Sequence, residues 1–203
     1  MSRSRFRAHR LVVRCVQVLA VEDVTPRMRR VRVGGEQLGP FERDGMSFPA
    51  FAIPGFDDHI KLIFAPDGDI AEALPQQLEN GIDWQPSEVR VTRDYTPHSY
   101  DAKACQMSLD FVVHGGHEAT GPAEQWARSA KVGDELWFVG PKSSTEIPDD
   151  IEEILLIGDE TAIPAIARFF AERDLDVPAR AIITVKTEDA VQRIAVREGD
   201  RIE

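Results

Sequence analysis

The stretch RVTRDYTPHSYD, Arg90 to Asp101, alternates like a β-strand but fills its face unusually. Val91, Arg93 and Tyr95 fall on one side by the two-residue period of a strand, and Thr96-Pro97 end the run. A half-buried strand ordinarily turns aliphatic side chains inward. Here a guanidinium, a phenol ring and a hydroxyl stand close together instead. Taken as a strand, the stretch joins its flanks into one long β region.

On its N-terminal side, HRLVVRCVQVLAVED and RMRRVRVGG alternate apolar and polar residues, and DHIKLIFAPDG runs into a Pro-Asp-Gly turn. On its C-terminal side, MSLDFVVHGG and DELWFVGP keep the spacing of a small barrel or sandwich. One helix interrupts them, GPAEQWARSAKVGD, with proline near its start and Gly133 past its end. After Pro141 the pattern changes. KSSTEIPDD is a polar linker, IEEILLIGDETAIPAIARFFAERD reads as strand, tight turn and helix, and VPARAIITVKTED supplies a second strand. Strand, helix, strand opens a parallel α/β sheet, and a further strand begins at REGDRIE. One helix cannot cover both faces of such a sheet, so the expectation is a fragment or a shortened second domain. The expected fold class is β followed by α/β, with residues 1–145 as the β domain and 146–203 as a partial α/β domain.

The chain of 203 residues is 42% hydrophobic and 29% charged, and should bury roughly 70% of its unfolded surface. Its net charge of -11 argues against nucleic acid as a partner. Screening over about 8 Å still lets a local basic patch receive an anion. The basic start, Arg3 to Arg14, is followed by LVVRCVQVLAV, which Arg14 and Gln17 break, and no cleavage signal follows. No stretch is long and apolar enough to insert in a membrane, so a cytoplasmic location is expected. Cys15 and Cys105 stand alone and are expected as inert, buried thiols.

Three segments carry chemistry. In Arg93-x-Tyr95-Thr96 a tyrosine ring can lie on a flat heterocycle, an arginine fork can neutralise a phosphate, and a hydroxyl can hydrogen-bond a ring nitrogen. Those are the demands of a flavin dinucleotide, although the same residues alone also suit an exposed sheet edge. In FVVHGGHEATGPAEQWA, Gly121-Pro122-Ala123 opens a helix whose free amides and positive dipole end form an anion site, where a pyrophosphate fits. Together the two segments favour FAD.

HGGH lacks the serine elbow that a hydrolase oxyanion loop would need. The pair His114 and His117 would bind metal only on a helix, which Gly115-Gly116 disfavours, so no metal site is expected. His114 is expected to face the cofactor. GDETAIPA lies where a Rossmann-like unit meets its nucleotide, but Asp159-Glu160 replace the glycines and would repel a pyrophosphate. Two readings stay open there: Asp159 or Thr161 caps the helix, or nicotinamide rather than phosphate approaches Asp159, Glu160 and Thr161.

In order, the blocks VTPRMRRVRVGGEQL, DDHIKLIFAPDG, RDYTPHSYD, LDFVVHGGHEATGPAEQWARSAKVGDELWFVGP and LLIGDETAIPAIARFF resemble the siderophore-interacting proteins. These are FAD-dependent ferric-siderophore reductases of the ferredoxin-reductase-like superfamily, and the resemblance covers nearly the whole chain. It implies a six-stranded antiparallel FAD-binding barrel followed by an NAD(P)H-binding α/β domain. It implies that Arg93, Tyr95, Thr96, Pro97 and His98 form the flavin motif, with Tyr95 and Thr96 at the reacting ring. Val113, His114 and Gly115 would line the ring, and Gly121, Pro122, Ala123 and Trp126 would form the pyrophosphate helix. Lys61 matches a lysine that faces the iron chelate. The sequence departs from the family at His98, where arginine is usual, and in lacking the carboxyl-terminal half of the nicotinamide domain.

The expected function is electron transfer from NADPH or NADH through FAD to a ferric siderophore, with iron as substrate rather than as a protein-held metal. Lys61 and the arginines from Arg27 to Arg32 would offset the overall negative charge for an anionic chelate. The alternatives are a siderophore-binding flavoprotein without turnover, and a flavin reductase fed by ferredoxin or serving another acceptor.

Overall fold

The computed structural model of the chain describes residues 5–114 and 121–203. Seven antiparallel strands make the first sheet: β1 (Val13–Thr25), β2 (Met28–Gly34), β3 (Ile60–Phe64), β4 (Val91–Tyr95), β5 (Ser99–Asp101), β6 (Gln106–Val112) and β7 (Glu135–Val139). Their order is β5-β6-β2-β1-β7-β3-β4. The two edge strands, β4 and β5, are consecutive in sequence and separated only by Thr96, Pro97 and His98. Such a short link forces the sheet to curl until its edges meet. At the joint the His98 amide donates to the Ser108 carbonyl at 2.8 Å. Proline cannot donate to a ladder, so Pro97 breaks what is otherwise one bent strand, and the expected six-stranded barrel results.

Alternation fills the barrel. Val16 and Val18, Val31 and Val33, Leu62 and Phe64, Leu109 and Phe111, and Leu136 and Phe138 all point inward and are buried. Helix α1 (Pro122–Ser129) closes against this core through Ala123 and Ala127. Its Trp126 packs beside Phe111, with centroids 5.5 Å apart, and Phe64 at 6.1 Å.

The second unit comprises β8 (Ile154–Asp159), α2 (Ile163–Glu172), β9 (Ala179–Thr184) and β10 (Arg201–Ile202), with the strands parallel in that order. A Cβ added at Gly158 would stand 2.4 Å from the Ala162 Cβ, so glycine there lets the turn fold tightly onto the strand. Ile166, Phe169 and Phe170 of α2 cover one sheet face. On the other, Leu155 and Ile157 are exposed, as a sheet with one helix requires. A seam ties this unit to the barrel: Phe56 meets Phe169 edge-on at 5.3 Å, and buried Arg168 donates to the Ile53 carbonyl at 2.9 Å. No helix among the described residues is long and apolar enough to cross a membrane.

Candidate functional site

Strand register explains the unusual face of β4. Tyr95 pairs with Ile60, Arg93 with Leu62 and Val91 with Phe64, so all three belong to the barrel's inner face. At the barrel edge that face opens into a cleft of about 720 Å³, within the usual size range of small-molecule sites. Arg93, Asp94, Tyr95 and Thr96 form one wall, and Asp110, Val112 and His114 another. Gly121, Ala123 and Glu124 of α1 form the floor, while Thr161 and Pro164 reach in from the second unit. Tyr95 lies on Phe111 with centroids 4.6 Å apart, and burial pushes its phenol up to about 12, which keeps it neutral. Arg93 is exposed, donates to the Thr92 carbonyl at 2.8 Å, and has no carboxylate partner among the described residues.

The start of α1 carries no side-chain cap among the described residues. Its N-cap, Gly121, offers no side chain, and a Cβ built there meets nothing within 4 Å among the described residues. The first intrahelical bond runs from the Gln125 amide to the Gly121 carbonyl, so the Ala123 amide precedes the helical ladder and has no partner among the described residues. Glu124 would repel an anion were its charge unmatched. Its buried carboxylate instead accepts from the His114 amide and Nδ1, both at 2.9 Å, and from Arg128 Nη2 at 2.7 Å. Arg128 also donates to the His114 carbonyl, so this knot fixes the end of β6 to α1.

The structure therefore gathers Arg93, Tyr95, Thr96, His114, Gly121, Ala123 and Thr161 around one cleft. Other expected residues lie elsewhere. Lys61 sits on the opposite face of β3 from Tyr95's partner and pairs with Asp94 at 2.6 Å, so it reaches the cleft only through that rim carboxylate. His98 turns into the seam, with Nδ1 3.3 Å from Asp110 Oδ2. Pro97 is buried, and the Val113 amide is held by the Arg27 carbonyl. Pro122 and Trp126 face a different hollow, on the far side of α1.

Neither Asp159 nor Thr161 caps a helix, since the N-cap of α2 is Ala162 and no side chain caps it. Asp159 accepts instead from the Thr161 amide at 2.8 Å and hydroxyl at 2.6 Å, contacts that lower its pKa. Buried Glu160 accepts from the Lys186 amide at 3.2 Å, so neither acid lines the cleft. The expected basic patch is largely spent: Arg27 pairs with Asp189, Arg29 with Asp23 and Arg30 with Asp110. Gly115 and His117 lie outside the described residues. Sequence reading missed His59, Asp94, Asp110, Val112, Glu124 and Pro164 in the lining. Asp110 alone carried a signal, as an acid inside the apolar run LDFVV.

FAD fits this donor set. A helix start with a glycine N-cap suits its diphosphate, together with an arginine that has no carboxylate partner among the described residues, and a half-buried tyrosine face beside a hydroxyl suits its ring. An antiparallel barrel with such a cleft, followed by a parallel α/β unit, is the ferredoxin-reductase-like flavoprotein fold. Residues 17–145 match the siderophore-interacting FAD-binding domain and residues 151–203 the siderophore-interacting protein family, and the chain belongs to that family.

Among its relatives, an NADPH-dependent ferric-chelate reductase of Escherichia coli is 33% identical over 189 residues, covering 92% of this chain and 68% of that one. Ferric vibriobactin reductase ViuB of Vibrio cholerae is 29% identical over 158 residues, 78% of this chain and 53% of its own. The crystal structure of a siderophore utilization protein from T. fusca superposes with a TM-score of 0.82 at 31% identity, over 98% of this chain and 71% of that one. The chain thus spans about two thirds or less of the curated relatives it matches.

Proposed function

We propose that this chain is an FAD-dependent reductase of ferric siderophores, driven by NAD(P)H and working in the cytoplasm. Residues 1–145 would hold the flavin and residues 146–203 would present the nicotinamide. The observation that carries this reading is a single cleft in which Arg93, Tyr95, Thr96 and the start of α1 at Gly121 and Ala123 meet Thr161 and Pro164 of the second unit. When bound, the flavin supplies the conversion of a two-electron hydride donor into single electrons for two ferric ions, taken in turn.

The chain's own groups do the binding and positioning. Arg93 and the amide of Ala123 offset diphosphate charge. Tyr95, neutral at working pH, gives the ring an apolar face, and the Thr96 hydroxyl offers it a hydrogen bond. The Glu124–Arg128 pair holds His114 at the edge of the cleft. Thr161, braced by Asp159, and Pro164 leave room for an uncharged ring to approach, which matches nicotinamide better than phosphate. The names of the reductase relatives support a ferric siderophore as acceptor.

A visible spectrum of the purified protein, followed by NADPH and then NADH without oxygen, tests the reading. Bound flavin that bleaches with either nucleotide and is re-oxidised by a ferric siderophore supports it. Flavin that only dithionite reduces would leave a carrier, or a ferredoxin-fed enzyme, in its place. A protein that binds no FAD would sink it outright.

A further inference from the structure

A cavity of about 270 Å³ shares no residue with the flavin cleft and is lined by Arg7, His9, Arg10, Arg14, Phe51 and Pro141, among others. Arg14 occupies an inward position of β1, in step with Val16 and Val18, and is only 2% exposed. Its guanidinium donates to neutral acceptors alone, the carbonyls of Gln37 and Pro49. Among the described residues its Nε is buried without a partner, and so is the Nε of Arg10, whose Nη1 donates to the Ser47 carbonyl at 3.0 Å. Aromatic faces cushion the cations: Arg10 lies 4.9 Å over Phe48 and Arg14 5.8 Å over Phe51.

Arg43 adds a further positive charge close by, donating to the Val13 carbonyl. Among the described residues no carboxylate comes within 4 Å of Arg7, Arg10, Arg14 or Arg43. Burial draws the Arg14 guanidinium down from its usual value to about 10, and Arg43 acts in the same direction. Arg14 is removed from both water and acid, which is costly, and half-buried Arg10 and exposed Arg7 add positive charge around the same hollow. The cavity therefore lacks a counter-charge of its own; Asp44 acts on Arg43 outside its lining. In a chain of net charge -11 this concentration is a local construction.

We propose that this cavity is a second binding site, selective for one small oxyanion, a phosphate-sized group or a short carboxylate, which supplies that counter-charge. Guanidinium forks match both groups geometrically, and the volume falls just below the range of larger organic ligands. The inference does not depend on the flavin reading.

The test uses the full chain loaded with FAD, so that the cleft is filled. Its thermal midpoint is followed while sodium phosphate, and separately sodium citrate, is added against sodium chloride at equal ionic strength. The expected result is a saturating rise of roughly 5–10 °C at a hundredfold excess over Kd. Arg10→Gln should weaken the effective anion about tenfold and leave the flavin absorbance unchanged. Which salt saturates first tells phosphate from carboxylate. Arg14→Gln is unsuitable, because it also removes the bonds to Gln37 and Pro49.

A rise no larger than chloride gives, or one that neither Arg7→Gln nor Arg10→Gln alters, overturns the site. A rise that never saturates is general salt exclusion and counts against it equally. Should the chain take up no flavin, the same titration is run on it as purified beside Arg93→Gln. An anion effect lost in Arg93→Gln but kept in Arg10→Gln then belongs to the other cleft and also overturns the proposal.

Discussion

Tyr95 shows how one residue carries two duties. Its ring closes the barrel's inner face on Phe111, and the same ring forms a wall of the cleft. Tyr95→Ser should therefore cost both stability and flavin affinity, the latter about fivefold for a lost aromatic contact of roughly 1 kcal/mol beyond its buried area. A fluorescence titration with FAD measures that; unchanged affinity would remove Tyr95 from the ring's surroundings. Lys61 gives the opposite case. Its ion pair with Asp94 is solvent-exposed, and such pairs contribute little to stability, so the ammonium is free to exchange Asp94 for an anionic chelate at the rim. Lys61→Ala should leave flavin content and melting temperature nearly unchanged and raise KM for an anionic ferric chelate about threefold to tenfold, the spread expected of one screened charge. Steady-state kinetics with equal KM in both proteins would place the chelate elsewhere.

At the scale of the element, the glycine N-cap of α1 sets helix stability against cofactor binding. Aspartate is a favoured N-cap, and a side chain at Gly121 meets open space among the described residues, so Gly121→Asp should leave the melting temperature the same or raise it slightly. The added carboxylate would then face the diphosphate, and FAD affinity should fall about tenfold or more. Melting and flavin titration on one preparation check both signs; a variant that binds FAD as well as the parent would exclude the helix start from the phosphate site. Elements of this kind were legible in the sequence because their signals are local. The period of two marks β1, β2, β3 and β6, and proline with glycine marks both ends of α1. What stayed hidden depends on register. That Asp110 sits opposite Arg30, or that Lys61 faces Asp94 rather than Tyr95, follows from which strands pair, and no window along the chain contains that information. Glu124 was hidden differently: in sequence it is one more acid in a helix's first turn, and only folding brings His114 and Arg128 onto it.

At the scale of the whole molecule, the seam between barrel and α/β unit is where pH should act. His98 lines a hollow of about 530 Å³ there, together with Ile163 and Phe170 of α2, so its burial depends on the second unit being docked. Its Nδ1 is buried and poorly aligned toward Asp110, whose carboxylate is already engaged by both nitrogens of an Arg30 fork at 2.6 and 2.8 Å. Burial lowers the pKa of His98 below its ordinary 6.5. Asp110 and Glu172 oppose that shift, while Arg30 and Arg168 reinforce it. The folded chain therefore keeps His98 neutral over a range in which the unfolded chain takes up a proton. Below about pH 6.5 the unfolded state binds more protons, so stability should fall with decreasing pH until the lowered folded value is reached, and level off beneath it. His98→Gln removes the titrating group and should flatten that part of the profile, with little effect near pH 8. Urea unfolding of the two proteins at closely spaced pH values measures the difference. Parallel profiles between about pH 5 and 7 would mean that His98 titrates alike in both states, and that the second unit does not shield it in solution.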